Sequence, residues 1–245
     1  MSELFSIQLQ NRQQQGRDGV WLDLPTTTEQ VQAALRQIGI SSDNPQGLFI
    51  SGYFAEEEKR FAIPYNMVLA SNVDELNFLA SRLETLSTGE RAELNAALQA
   101  PQSELFSIGR ITDFPENVDY YVHLPDVHGP AQLGDYYLNR SGMVDMPEEW
   151  KGGIDTAQFG RYVAQQEQGA FTQYGYLVKS GDEWQKVHEG QPVPEEYRVL
   201  SFPAPEVLRD AANIPPPVQP ETEPQKVIPI ILNGKDSACL LYTSD

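Results

Sequence analysis

The stretch DTAQFGRYVAQQEQGAFTQYGYLV, residues 155–178, decides the fold class because a helical pattern passes directly into a strand pattern. Phe159, Tyr162 and Val163 recur at helical spacing, which predicts a helix with one apolar face. The closing residues FTQYGYLV are mostly aromatic or β-branched, as is typical of a strand. This part of the chain is therefore predicted to be α+β.

The residues before this stretch extend the same pattern. VDYYVHLP, residues 118–125, predicts a strand that Pro125 ends, and QLGDYYLNRSG, residues 132–142, predicts a helix closed by Gly142. Together with the first stretch they indicate an α+β domain over residues 105–180.

The N-terminal part predicts a second α+β domain, over residues 1–61. FSIQLQ, VWLDLP and GLFISGYF are strand patterns, and TTTEQVQAALRQIGI between them is a helix with a Thr cap. Residues 62–104 predict two helices, one capped by Asn72 and one by Thr88. We therefore expect an α+β fold in which three small domains form an elongated array.

Beyond Ser180 the patterns weaken, and we expect residues 181–245 to be a poorly ordered extension. Residues 184–202 are compatible with a short hairpin, whereas IPPPVQPETEPQ, residues 214–225, is a proline-rich linker. We interpret the last residues, SACLLYTSD, as translated non-native sequence and leave them out of the functional argument.

The charge of the chain excludes several classes of protein. The 245 residues carry 17 Lys and Arg against 35 Asp and Glu, a net charge of −18. Proteins that bind nucleic acid or anionic membranes directly need clustered cations, so a basic partner is expected instead. One cysteine forbids an internal disulfide and a multi-cysteine zinc site. Neither a secretory signal nor a membrane-spanning run is visible, which favours a cytoplasmic location.

Catalytic motifs are missing from the sequence. There is no phosphate-binding glycine loop, no HExxH, no GxSxG and no EF-hand loop. His123, Asp126 and His128 could be drawn as a metal site, but we interpret the histidines as ordinary strand and surface residues. We therefore expect no cofactor, no metal and no enzymatic activity.

Acidic residues are spread along the third predicted domain and interleaved with aromatic ones. Held on a rigid scaffold, such carboxylates would compete for the Lys and Arg side chains of a DNA-binding groove. The alternative is the ordinary surface of a soluble acidic protein. The candidate partner-binding carboxylates are Asp113, Glu116, Asp119, Asp126, Asp135, Asp145, Glu148, Glu149 and Asp155.

Four blocks of the sequence resemble the ArdA antirestriction family in the same order. VWLDLP with QIGI and FISGYF resembles its N-terminal domain, and ELNFLASRLETLS resembles its central helix. LGDYYLNRSG resembles the antirestriction motif, and the stretch from Asp155 resembles the closing helix and strand. The loop QNRQQQGRDG departs from the family pattern, SELFSIGRITDFPEN looks like an insertion, and the residues after Ser180 have no counterpart.

The resemblance implies a dimeric, elongated mimic of bent B-form DNA that inhibits type I restriction–modification enzymes. It implies such an enzyme and a second copy of the chain as partners, with no direct contact to nucleic acid or membrane. Leu133, Gly134, Tyr136 and Tyr137 match the antirestriction motif, which lies near the dimer contact in the family; the alternative is that they are helix core. Two other functions stay open: a general acidic module that binds a basic protein, and a hydrolase built on carboxylates.

Overall fold

A three-stranded antiparallel sheet opens the fold. The structure is a computed structural model that describes residues 3–14, 18–56, 60–101 and 103–203. Strands β1 (Phe5–Asn11), β2 (Val20–Leu24) and β3 (Leu48–Phe54) lie in the order β2-β1-β3. Helix α1 (Thr28–Gln37) begins at Thr27, whose side chain accepts a hydrogen bond from the backbone of Gln30 while the Gln30 side chain accepts one in return. The predicted Thr cap is thereby confirmed.

Three helices follow the first sheet: α2 (Tyr65–Leu69), α3 (Val73–Glu84) and α4 (Thr88–Gln99). Asn72 caps α3 as predicted, in a capping box with Glu75. The predicted cap of α4 is wrong by one residue. Ser87, not Thr88, accepts the hydrogen bond from Glu90, because the capping side chain must come from the residue before the first helical one.

A second antiparallel sheet consists of β4 (Tyr121–Leu124), β5 (Ala170–Thr172) and β6 (Gly175–Lys179), in the order β4-β6-β5. The predicted strand at residues 118–125 is shorter than expected because Val118–Tyr120 form a 3₁₀ turn. No helix in the described part of the chain combines the length and the apolar character that a bilayer crossing requires. The elements are α5 (Ile108–Thr112), β4 (Tyr121–Leu124), α6 (Pro130–Asn139), α7 (Glu148–Lys151), α8 (Thr156–Glu167), β5 (Ala170–Thr172) and β6 (Gly175–Lys179).

One apolar cluster connects the first sheet, the middle helices and the second sheet. Leu9, Leu76 and Leu177, from these three regions, belong to the same buried cluster. The segment interpreted as an insertion contributes Ile111 and Phe114, both fully buried. A smaller cluster lies beneath α6. The division into three domains and the elongated shape stay predictions.

Residues 181–203 correct the expectation of a poorly ordered extension. Asp74 Oδ1 accepts hydrogen bonds of 2.7 Å from the backbone N–H groups of Val199 and Leu200. Asn77 donates to the carbonyl oxygen of Tyr197 at 3.0 Å. Polar side chains of α3 thus bind this backbone in place of a strand ladder, and the hairpin prediction is wrong. The proline-rich linker and the terminal residues lie outside the described residues.

Candidate partner-binding surface

Helix α6 carries the motif residues, and it approaches helix α8 closely at two glycines. Gly134 and Gly160 are both buried. A Cβ atom on Gly134 would overlap the carbonyl oxygen of Thr156, and one on Gly160 would overlap that of Pro130. The close approach therefore requires glycine on both helices. Gly160 was not among the predicted site residues, although a glycine inside a helical pattern is itself a signal of tight packing.

The four residues of the predicted antirestriction motif divide between core and surface. Leu133 and Gly134 are buried. Tyr136 and Tyr137 are partly exposed, and their rings stack edge to face with centroids 5.4 Å apart. Leu133 and Gly134 therefore belong to the core of the helix packing, whereas Tyr136 and Tyr137 are accessible at the surface of α6.

Glu167, near the end of α8, links three elements. Its carboxylate accepts a hydrogen bond of 2.5 Å from Tyr137 on α6 and one of 3.0 Å from Tyr176 on β6. Burial, together with this carboxylate, raises the pKa of both phenols, so both stay protonated donors. Glu167 therefore holds the motif helix against the second sheet, a role that no local sequence signal indicates.

Asp113 does not belong to the predicted surface. It has no exposed area, and its carboxylate accepts hydrogen bonds from the backbone N–H groups of Val187, His188 and Glu189. The prediction that Asp113 is a surface acid is wrong because its partners lie more than 70 residues further along the chain. The structure thus assigns Asp113 to the attachment of residues 181–203 and removes it from the candidate site.

Four of the nine predicted carboxylates are exposed and form no ion pair with any described residue. They are Asp119, Asp126, Asp145 and Glu149. We call these four the free carboxylates.

The remaining four predicted carboxylates are engaged within the chain. Glu116 pairs with Arg82. Asp135 lies 3.2 Å from Arg140 and Glu148 lies 2.9 Å from Lys151. Asp155 caps α8 by accepting from Ala157 and Gln158. Ion pairs at the surface contribute little free energy, so the three paired carboxylates can still exchange their partners, whereas Asp155 is held as a helix cap.

One cleft brings predicted residues together. Asp126, Asp135 and Tyr136 line a cavity of about 420 Å³ between the end of β4 and helix α6, with Arg140 at the same cavity. The other free carboxylates lie on different elements: Asp119 on the turn before β4, Asp145 after α6 and Glu149 in α7. The free carboxylates are thus dispersed over several elements, and Asp126 shares this cavity with Asp135.

The histidines are accounted for by ordinary contacts. His123 Nε2 lies 2.8 Å from the carbonyl oxygen of Tyr174, and the backbone N–H of His128 donates to Gln132. Over the ranges that the structure describes, no three His, Cys, Asp or Glu side chains converge in a way that could hold a metal ion.

Comparison with known proteins agrees with the resemblance seen in the sequence. A family model described as "Antirestriction protein (ArdA)" matches residues 15–178, more than half of the chain. A search of curated proteins gives no significant match. The matched range contains the free carboxylates, the motif residues and both glycines, and it ends before residues 181–203.

Proposed function

Because the chain belongs to the ArdA antirestriction family, we propose that it inhibits type I restriction–modification enzymes by occupying their DNA-binding groove. A DNA groove is lined by Lys and Arg side chains that neutralise phosphates. A net charge of −18 attracts such a surface over distance and accelerates association. On this proposal the protein acts in the cytoplasm by binding alone, without catalysis, cofactor, nucleic acid or membrane.

The observation that carries the proposal is the set of four free carboxylates between the turn before β4 and helix α7. Each is exposed, and none is neutralised by a described cation of its own chain. Charges of this kind are available to a partner, whereas a paired carboxylate must first give up its cation. The four engaged carboxylates are expected to contribute less to partner binding because they already have partners in the chain. They are Glu116, Asp135, Glu148 and Asp155.

We further propose that two copies of the chain associate through the region of residues 133–142. Tyr136 and Tyr137 supply accessible aromatic surface there, and a two-fold dimer would double the length of the charge array. Light scattering tests this: Tyr136→Ala is expected to halve the particle mass, whereas an unchanged mass with intact fold contradicts the dimer contact.

A cleavage assay with a purified type I enzyme tests the inhibition. We expect the chain to block DNA cleavage, and we expect the variant with all four free carboxylates neutralised (Asp to Asn, Glu to Gln) to block it at least about tenfold less well. The matched control neutralises four exposed carboxylates beyond the family match, Asp182, Glu183, Glu195 and Glu196, and should inhibit like the unmodified chain. Equal loss in both variants would indicate a general charge effect.

A general acidic module that binds some other basic protein is the alternative. It would also bind in a salt-dependent way, but it would leave the DNA-bound restriction enzyme active. A hydrolase would lose its activity through one single substitution, whereas a distributed array loses it gradually.

A further inference from the structure

The outer face of the first sheet carries an exposed aromatic pair. Trp21 on β2 is 49% exposed and Phe54 on β3 is 57% exposed, and their ring centroids lie 6.5 Å apart. Trp21 is opposite Gln8 and Phe54 is opposite Ser6 on the central strand. Side chains alternate along a strand, so both rings project from the face opposite the buried residues of β1.

The sheet is shaped to hold the indole in this position. Gly52 is opposite Gln8 on the other side of β1, and a Cβ atom on Gly52 would lie only 3.1 Å from Trp21 Cη2. The indole therefore crosses the central strand and lies over the space that Gly52 leaves open. The two rings form one platform. Large apolar side chains exposed together in this way mark interaction sites, unlike scattered single ones.

Two carboxylates stand at the edge of this platform. Ser6 Oγ, opposite Phe54, lies 2.9 Å from Asp23 Oδ1 and 3.3 Å from Glu3 Oε1. In the described part of the chain neither carboxylate forms an ion pair. The edge of the platform therefore carries negative charge that no cation in the described residues compensates by an ion pair.

The same face already binds an arginine of its own chain at the other end. The guanidinium of Arg12 lies 5.4 Å from the ring centre of Phe49, which is opposite Gln10. No described cation lies over Trp21 or Phe54. An aromatic face beside carboxylates suits a guanidinium, because arginine stacks on rings and pairs with carboxylates at once.

We propose that this aromatic face, formed by Trp21 and Phe54 with Asp23 and Glu3, receives an arginine side chain from the basic partner. The identity of that partner, a type I restriction–modification enzyme, rests on the proposed function. The charge complementarity favours this occupant over a second copy of the same acidic chain, which would bring like charge to the edge. The face belongs to the first sheet, whereas the free carboxylates belong to elements from residue 119 onward, so it adds a second contact.

The experiment measures the Kd of the full chain for a purified type I enzyme by titration calorimetry. Replacing Trp21 and Phe54 together by Ala should weaken binding about tenfold, the loss of two ring contacts to a cation. Replacement of both by Leu keeps apolar area without the aromatic ring and should lose nearly as much. Phe106→Ala is the control, because Phe106 is 63% exposed and its ring is already contacted by Arg110 at 4.5 Å.

The outcomes separate this proposal from the proposed function. If the unmodified protein binds and inhibits the enzyme and the double Ala variant has the same Kd, the proposal about the aromatic face is overturned and the proposed function is not. Unmodified protein that does not bind the enzyme overturns both. A double variant with changed particle mass in light scattering overturns the proposal by showing that a second copy occupies the face. If the double variant loses its circular-dichroism spectrum, the single change Phe54→Ser gives the same comparison with less disturbance.

Discussion

Gly134 on α6 lies directly against Gly160 on α8, so close that neither residue has room for a side chain. The atoms that a Cβ would meet are backbone atoms, which cannot rotate away as a flexible side chain could. This contact sets the distance between α6, which carries the motif residues, and α8.

Gly160→Ala is therefore expected to destabilise the chain by about 1–3 kcal/mol, since overpacking forces the two helices apart. Denaturant unfolding measures the change. Gly89→Ala in α4 is the control, because nothing lies within 4 Å of its Cβ position. Alanine favours a helix, so Gly89→Ala should leave the free energy of unfolding unchanged or raise it by up to about 1 kcal/mol. Equal stability of the two variants would contradict the glycine contact.

Glu167 gives a second prediction because it accepts hydrogen bonds from two tyrosines. Glu167→Ala leaves the hydroxyl groups of Tyr137 and Tyr176 without their acceptor and should cost about 2–3 kcal/mol of unfolding free energy. Tyr137→Phe removes one bond only and should cost less. The expected signature in a double-mutant cycle is coupling between Tyr137→Phe and Glu167→Ala, and additive losses would show that the two residues do not interact.

Asp113 is expected to contribute to the stability of the chain and not to the binding of the partner. Asp113→Asn replaces one acceptor oxygen by a donor facing backbone N–H groups and is expected to lower the free energy of unfolding by about 2–4 kcal/mol. Asp126→Asn, at an exposed and unpaired carboxylate, should leave stability unchanged while weakening inhibition. Thermal unfolding and the cleavage assay, run on both variants, would show the opposite pattern if Asp113 were the binding residue.

Glu93 makes the stability of the chain depend on pH. Its Oε1 is buried without a hydrogen-bond partner among the described residues. Burial, reinforced by the carboxylates of Glu90 and Asp119, raises the pKa of Glu93 from 4.5 to about 8. A raised pKa means that the folded chain holds the proton more tightly, so the stabilisation is complete below the unfolded pKa and is lost as the pH rises towards the folded one.

Between about pH 5 and pH 8 the free energy of unfolding of the unmodified chain should therefore fall by about 1–2 kcal/mol relative to that of Glu93→Gln. Partial exposure of Glu93 to solvent keeps the difference this small. Gln keeps the shape of the protonated acid and cannot ionise. Urea unfolding of both proteins across this range measures the difference, and parallel pH profiles would show that Glu93 is not the group responsible.

Local features of the fold were predictable from the sequence, and long-range ones were not. The caps at Thr27 and Asn72 depend on residues within one helical turn, so their patterns are visible directly. The burial of Asp113 depends on residues 187–189, and the contact of Gly134 with Gly160 depends on how two separate helices pack. Composition alone could not separate a buried acid from an exposed one.

The order of the family-like blocks was the strongest functional signal in the sequence. The family match over residues 15–178 confirms the resemblance to the ArdA family. The roles of individual carboxylates were not visible there. The pair of Arg82 with Glu116 joins two distant elements and exists only once they have packed. The pairs of Arg140 with Asp135 and of Lys151 with Glu148 are local, so their spacing was already present in the sequence.

Displacement of a fluorescent DNA duplex from a type I restriction–modification enzyme tests the central claim most directly. We expect the unmodified chain to release the duplex, with an apparent affinity that falls steeply as the salt concentration rises. We expect neutralisation of the four free carboxylates, Asp119, Asp126, Asp145 and Glu149, to weaken displacement at least about tenfold. An enzyme that binds the chain and the duplex at the same time would contradict the claim, because a mimic of DNA must exclude DNA.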